Sequence, residues 1–462
     1  MTEPDADEIS KLVEQLDQGA LKALLIELAG DHEAVRERLE RLRLSAQPRK
    51  LAAAFRATLN GWRRSTRYLD YRQSHAFAAE LERWVCQVER ELLPRDPQLA
   101  LELFEALVDS DGRFIERADD SDGCIADAIR TACRLWLTTA ARCEPPSAGW
   151  IERLRQLVRA DSYGAREPLL GDANLLLDEP QMRALVAQFE ADLDTSVQAG
   201  AAARALPSSV FMASGSLRLL SEALHDPDIE VRAVLRYSPV PNALQKASFV
   251  RAYLECGRPA DALGWLDGEW DHHHEDSRLR LLAETYGALQ RDDECAAIRQ
   301  GLFESTGSVE DFVAWRACLP VASRPTTEAA ARRRAEAESD PIAAARLLLE
   351  IGDAALAEAL LVARYGDIDG NSYLRLVPLA ESLEGQHCTL GATACYRALL
   401  LGILTRGYAK AYGHGARYLA KLRQLAAEVP DLHPLERHEL FEAVLKAKHG
   451  RKVAFWNQVK AS

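Results

Sequence analysis

Tyr253-Leu-Glu-Cys-Gly-Arg-Pro-Ala-Asp-Ala-Leu-Gly-Trp-Leu266 reads as the end of one helix, a tight turn on Gly257, and the start of a second helix with Pro259 in its first turn. The same plan returns in Leu348-Leu-Glu-Ile-Gly-Asp-Ala-Ala-Leu-Ala-Glu-Ala-Leu-Leu361, where Gly352 stands for Gly257 and Ala357 for Ala262. A third copy, Tyr286-Gly-Ala-Leu-Gln-Arg-Asp-Asp-Glu-Cys-Ala-Ala-Ile298, begins 33 residues after the first. It keeps the turn and the small residues behind it. Small residues at a helix crossing let two backbones approach closely.

A period of about 34 residues with this plan is the tetratricopeptide pattern. The Trp, Tyr and Pro marks of the full motif are missing, so the copies are degenerate. The reading predicts an all-α chain, a right-handed α-solenoid of degenerate tetratricopeptide-like helix pairs. The repeat signal is confined to about 242–363; elsewhere the helices follow from periodicity alone. Phe77, Leu81, Trp84, Val88 and Leu92 form one long apolar stripe that Pro94 ends, and Leu21, Leu24, Leu25 and Leu28 form a shorter one. Pro97, Pro180, Pro259, Pro341 and Pro434 mark helix starts, where a missing N–H costs nothing. Pro-rich interruptions at 144–149 and 237–242 divide the chain into an N-terminal helical domain, 1–143, a middle helical region, 144–240, and the repeats with C-terminal basic helices, 241–462.

Composition supports this class. At 462 residues the chain exceeds one compact core. Its 48% apolar and 27% charged residues are those of a folded protein rather than a disordered one. The nine cysteines contain no C-x-x-C and sit among apolar neighbours. They read as buried hydrophobes in a reducing compartment, not as a zinc site or disulfide framework. Met1–Ser10 is acidic without an apolar signal region, and Ala398–Leu404 is far too short to span a bilayer. Both observations predict a cytoplasmic protein with no membrane partner.

The net charge of −13 is unevenly spread. Residues 36–72 carry eleven Lys/Arg against three Asp/Glu, and residues 397–462 carry twelve against five. The segment between them holds the acid. Such polarity points to charged partners, although solvated helix faces are the plainer explanation.

Ala409-Lys-Ala-Tyr-Gly-His-Gly-Ala-Arg-Tyr-Leu-Ala-Lys-Leu422, Ala447-Lys-His-Gly-Arg-Lys-Val-Ala-Phe-Trp456 and Asp119-Asp-Ser-Asp-Gly-Cys124 resemble an uncharacterised bacterial family of helical proteins, a domain of unknown function. A similar helical region accompanies SWIM zinc fingers. The C-x-C and C-x-H of that finger are absent here, so its nucleic-acid role does not transfer, and the resemblance brings no catalytic residues.

Four constellations stand out. Arg63, Arg64 and Arg67 lie near Trp62 and Tyr68, where arginines stacked on aromatics suit nucleic acid or an acidic peptide. Arg406, Lys410, Arg417 and Lys421 recur at spacings that line one face of a continuous helix, with Tyr408, Tyr412 and Tyr418 nearby, although Gly413 and Gly415 threaten that helix. His272-His273-His274, between Asp271 and Glu275, carries zinc-type ligands, but three consecutive helical residues diverge by about 100° each. Asp119, Asp120, Ser121 and Asp122 crowd carboxylates before Gly123; a turn capping the helix from Ile125 explains them without a cation.

No G-x-G-x-x-G, P-loop or G-x-S-x-G occurs. The chain therefore reads as a non-catalytic scaffold without cofactor or metal, holding a partner protein or peptide in a solenoid groove. The alternative is a nucleic-acid-binding repeat protein using the two basic regions.

Overall fold

The computed structural model describes residues 13–44, 46–147, 149–200, 206–268, 270–429 and 431–461. The acidic opening Met1–Ser10 lies outside them. The described chain is all-α, a solenoid-type fold of helices paired in sequence. Apart from one isolated parallel bridge between Leu69 and Ala118, it contains no β structure among the described residues. It divides into two compact units, Met1–Pro241 and Asn242–Ser462.

The first unit holds α1 (Gln18–Asp31), α2 (Glu33–Arg43), α3 (Pro48–Arg64), α4 (Tyr71–Gln87), α5 (Pro97–Val108), α6 (Asp111–Ile115), α7 (Cys124–Ala140), α8 (Gly149–Arg159), α9 (Pro168–Gly171), α10 (Glu179–Gly200), α11 (Ser208–Leu224) and α12 (Pro227–Tyr237). One apolar core runs from Leu51 to Ala233, and Cys143 and Trp150, on either side of the Pro-rich stretch 144–149, both pack against it. The long stripe lies in this core: Phe77, Leu81, Trp84, Val88 and Leu92 are all buried. After α4 the chain makes a π turn, Val88–Leu92, in which the Leu93 N–H donates to the Val88 carbonyl. That turn re-aims the stripe's last residues before Pro94. The shorter stripe behaves differently. No residue of α1 is buried, and Leu24, Leu25 and Ile26 are exposed.

The second unit holds α13 (Ala243–Glu255), α14 (Pro259–Leu266), α15 (Glu275–Ala288), α16 (Asp292–Thr306), α17 (Val309–Ala317), α18 (Arg324–Ala337), α19 (Pro341–Glu350), α20 (Ala354–Ala363), α21 (Tyr373–Gly385), α22 (Thr389–Arg406), α23 (Tyr412–Glu428), α24 (His438–His449) and α25 (Val453–Ala461). Helices pack on their successors and repeatedly on the next but one, as α13 does on α14 and α15, and α19 on α20 and α21. This is the arrangement expected of stacked helix pairs. The turns repeat at atomic level. After α13 the Arg258 N–H donates to the Tyr253 carbonyl and the Gly257 N–H to the Leu254 carbonyl. Residues 286–291, 348–353 and 383–388 form the same pair of bonds. Five positions after each left-handed residue stands a small buried side chain: Ala262, Cys295, Ala357 and Ala392.

Four of the five proline marks stand in the first turn of a helix, at α5, α10, α14 and α19. Pro434 does not. It follows a cis peptide bond in a loop that Asp431 folds by accepting the His433 N–H, and the helix begins only at His438.

Candidate functional site

The acidic turn and the first basic segment meet. The Leu69 N–H donates to the Arg117 carbonyl at 2.8 Å, and the Asp119 N–H to the Leu69 carbonyl at 2.9 Å. This bridge lays residues 65–70 beside the turn 119–124. Asp70 caps α4 through a reciprocal bond with Gln73, so Tyr71 and His75 follow on one face, four residues apart. Asp120 caps α7 from outside it: its carboxylate accepts from the N–H groups of Ile125 (2.9 Å) and Ala126 (3.1 Å). The expected capping role of the turn is thus present. The turn also has a partner that the sequence left blank. Asp122 accepts from the Tyr71 hydroxyl at 2.5 Å and meets His75 Nε2 at 3.2 Å, while Cys124 Sγ lies 3.2 Å from His75 Nδ1.

Arg63 and Arg64 close α3, where cations complement the helix's negative end, and Arg67 follows it. Among the described residues none of the three makes an ion pair. Tyr68 beside them is exposed, but Trp62 turns inward and packs edge-on against Phe77 and Trp84. The guanidinium over Phe77 belongs instead to Arg117, whose Nη1 also donates to the Ser65 carbonyl. Burial holds the Arg117 pKa below its ordinary value.

The second basic cluster does not share one helix. Gly407, with φ of +69°, ends α22 directly after Arg406, and Lys410 lies in a short turn. Arg417 and Lys421 belong to α23. The glycines expected to break the helix, Gly413 and Gly415, lie inside α23; a Cβ on Gly415 would stand 3.2 Å from the Phe455 ring, so the residue permits a close crossing. Lys421 is paired with Glu384 at 2.8 Å, and Arg417 meets His414 at 3.0 Å. Tyr412 is buried against Phe455, and Tyr418 packs on Tyr396. Of the three tyrosines, only Tyr408 is exposed.

At the histidine run, Asp271, which precedes the short turn His272–His274, and the side chains of His272 and His273 bring one ligand atom each within 4.8 Å of one another. His274 is not in that group. All three side chains are exposed, and the Asp271 carboxylate already accepts the His273 N–H. That bond, more than the neighbouring imidazoles, holds the Asp271 pKa below its ordinary value.

A groove that no motif announced lies in the first unit, between α8, α10 and α11, with a volume of about 850 Å³. Leu170, Phe189, Phe211, Met212 and Leu219 supply apolar lining. The loop after α8 forms one wall. Asp161 organises it by accepting from the N–H groups of Tyr163, Gly164 and Arg166. Arg166, 3% exposed, then reaches inward to grip Asp111 through two hydrogen bonds of 2.9 and 2.8 Å, and donates to the Leu157 carbonyl. On the rim, Arg155 and Arg159 both grip Asp192. Burial pushes the Asp192 carboxyl up, but these two guanidinium groups outweigh it and hold the pKa below the ordinary value.

Stacked helix pairs with a lined groove define the class: an all-α repeat protein. The chain belongs to a family of unknown function, DUF6880, whose model matches residues 10–458. No curated protein matches it in sequence. A solved structure described as "Circular tandem repeat protein with novel repeat topology and enhanced subunit contact surfaces" aligns with 94% of this chain and 96% of that one, at 15% identity and a TM-score of 0.16. No helix among the described residues is long and apolar enough to cross a membrane.

Proposed function

We propose that this protein is a non-catalytic interaction scaffold that holds a peptide segment of a partner protein in the groove between α8, α10 and α11. The groove itself carries the reading. Its volume falls in the range of sites that bury a ligand, about 300–1,000 Å³. Phe211 is 57% exposed and Met212 49%, an apolar pair on the α11 side whose Phe211 ring meets only the edge of Tyr237 among the aromatic contacts of the described residues. Around them stand hydroxyls of Thr195, Ser196 and Ser209 and charges of both signs. The groove's arginines are neutralised within the fold: Arg159 by Asp192, Arg166 by Asp111 and Arg218 by Glu222. Apolar lining with balanced charge suits a peptide with apolar anchors, not a polyanion.

The test is a peptide-display selection against the full chain. Recovered peptides are expected to lose binding to a Phe211→Asp variant and to keep it with Leu244→Asp, a change at an exposed residue of the second unit. Equal binding to both variants, or no recovered peptide, overturns the proposal.

A second reading, nucleic-acid binding, is favoured by one observation: Arg63, Arg64 and Arg67 carry no ion pair among the described residues and stand beside exposed Tyr68.

A further inference from the structure

Among the cysteines, Cys124 is set apart by what surrounds it. Cys133 and Cys395 are buried, and burial pushes the Cys395 thiol up to about 12. Cys295 and Cys318 face each other at 3.3 Å, and burial together with that contact pushes Cys318 up to about 11. Cys86 is exposed, with no base within hydrogen-bond distance among the described residues. Cys124 is partly accessible and has an imidazole beside it that is itself held in place.

The connectivity has a direction. The Asp122 carboxylate stands 3.2 Å from His75 Nε2, so its charge favours the ring proton on that nitrogen and leaves the Nδ1 lone pair facing Cys124. Tyr71 anchors the same carboxylate from one turn earlier on α4, and its ring packs edge-on against His75 at 4.7 Å. The thiol is within hydrogen-bond distance of the imidazole, and the carboxylate stands against the far nitrogen of the same ring, an arrangement that can activate a thiol. We propose that Cys124 is a base-assisted nucleophilic thiol, the site at which this chain forms mixed disulfides with small cationic or neutral disulfides, with His75 as the base and Asp122 as its positioning residue.

The surroundings select the reagent. Asp120 already occupies the amide groups at the start of α7, so the helix end does not stabilise a thiolate. Partial burial and the carboxylates of Asp120, Asp122, Asp127 and Glu82 push the Cys124 pKa up. The resting group is the thiol, and its proton moves to His75 Nδ1 as the sulfur attacks. The Cys124 Sγ–S bond forms while the S–S bond of the reagent breaks. The leaving thiolate takes the proton from His75 and departs as a thiol; Cys124 is oxidised and the reagent reduced. The same carboxylates repel an anionic disulfide and draw in a cationic one.

The experiment treats the full chain with cystamine, 2-hydroxyethyl disulfide or the dianionic 5,5′-dithiobis(2-nitrobenzoate) and follows each cysteine by mass spectrometry. With cystamine, Cys124 is expected to react at least about tenfold faster than the more exposed Cys86, the modest end of general-base assistance. The advantage shrinks with the neutral reagent and most with the dianion. His75→Gln brings Cys124 down to the rate of Cys86. Asp122→Asn lowers the rate and shifts its pH profile, which a merely structural role would not do. Reaction at buried Cys133 reports any variant that fails to fold, and the unaltered chain and the other variant then decide the outcome. A Cys124 rate no higher than that of Cys86 with cystamine overturns the proposal, as does a folded variant with an unchanged rate.

Discussion

Gln290 takes the backbone position of Gly257. The two have φ values of +60° and +68°, close identical double-bonded helix ends, and are each followed by an arginine that stacks on a tyrosine, Arg291 over Tyr286 and Arg258 over Tyr253. Gln290 is exposed, so nothing packs its side chain in return for the left-handed backbone. A side chain in that region costs about 1–2 kcal/mol that glycine does not. Gln290→Gly is therefore expected to stabilise the second unit by about 0.5–1 kcal/mol after the added freedom of glycine in the unfolded chain is counted. Gly352→Ala, at φ +80°, should destabilise it by a similar amount. Urea denaturation of the three proteins reads both signs.

The same residue explains how far the sequence could be read. Gly257 and Gly352 announce their turns because glycine is the usual left-handed residue. Gln290 is found only through its spacing and the small residues after it. His387 closes a fourth turn and His225, in the first unit, a fifth, with φ values of +60° and +50°. Neither residue type signals a turn, so both copies go unseen, although Ala392 sits five positions after His387 as Ala357 does after Gly352. The long stripe of α4 was legible because helical periodicity is local. The contact of Cys124 with His75 was not: 49 residues separate them, and the bridge from Leu69 to Ala118 that brings them together is too short to leave a strand pattern. The groove is hidden for the same reason, since its lining comes from helices whose inward faces read as ordinary core.

Asp111 and Arg166 show what holds the groove's wall. Both are about 3% exposed, and the pair joins α6 to the loop after α8. Removing one partner of a buried pair strands the other, at a cost of about 3–5 kcal/mol. Asp111→Ala is expected to fall in that range by chemical denaturation. The double change Asp111→Leu with Arg166→Met should recover much of the loss, because it removes both charges together. A double variant as unstable as the single one contradicts this account.

His438 gives the second unit a pH dependence. It is buried; burial pushes its pKa down, Arg397 and Arg423 act the same way, and Glu442 and Glu439 pull it up. Because the folded value lies below the unfolded one, the unfolded chain takes up the proton first. Stability from this residue is present above the unfolded value of about 6.5 and is lost as pH falls below it. Glu442 acts in a lower window. Its hydrogen bond with Arg423, together with Lys446, holds it at about 2, so its contribution is present above about 4.5 and is lost as pH falls toward 2. Urea midpoints of the wild type should fall between pH 7 and 5.5 with a slope from this site of at most about 1.4 kcal/mol per pH unit, one proton's worth. His438→Gln should flatten that interval and leave the drop below pH 4.5 in place.

The basic residues divide into those held within the fold and those left over, and that division decides how a nucleic-acid test is read. Lys421 is engaged by Glu384, so Lys421→Ala should change little in any binding assay. Arg63, Arg64 and Arg67 make no ion pair among the described residues, but Asp119, Asp120 and Asp122 lie on the turn bridged to their segment. A polyanion approaching those arginines meets this acid as well. If the segment binds nucleic acid, each phosphate neutralised releases counterions, and affinity falls steeply between about 50 and 200 mM salt. Replacing the three arginines by alanine would then flatten that slope, while Asp119→Asn with Asp120→Asn would strengthen binding. Under the peptide-scaffold reading, anisotropy titrations with single-stranded DNA and RNA are expected to stay flat at low salt, and the arginine changes to leave peptide binding in the groove untouched. Salt-sensitive binding that the triple arginine variant abolishes would move the functional surface from the groove to the Arg63–Tyr68 segment.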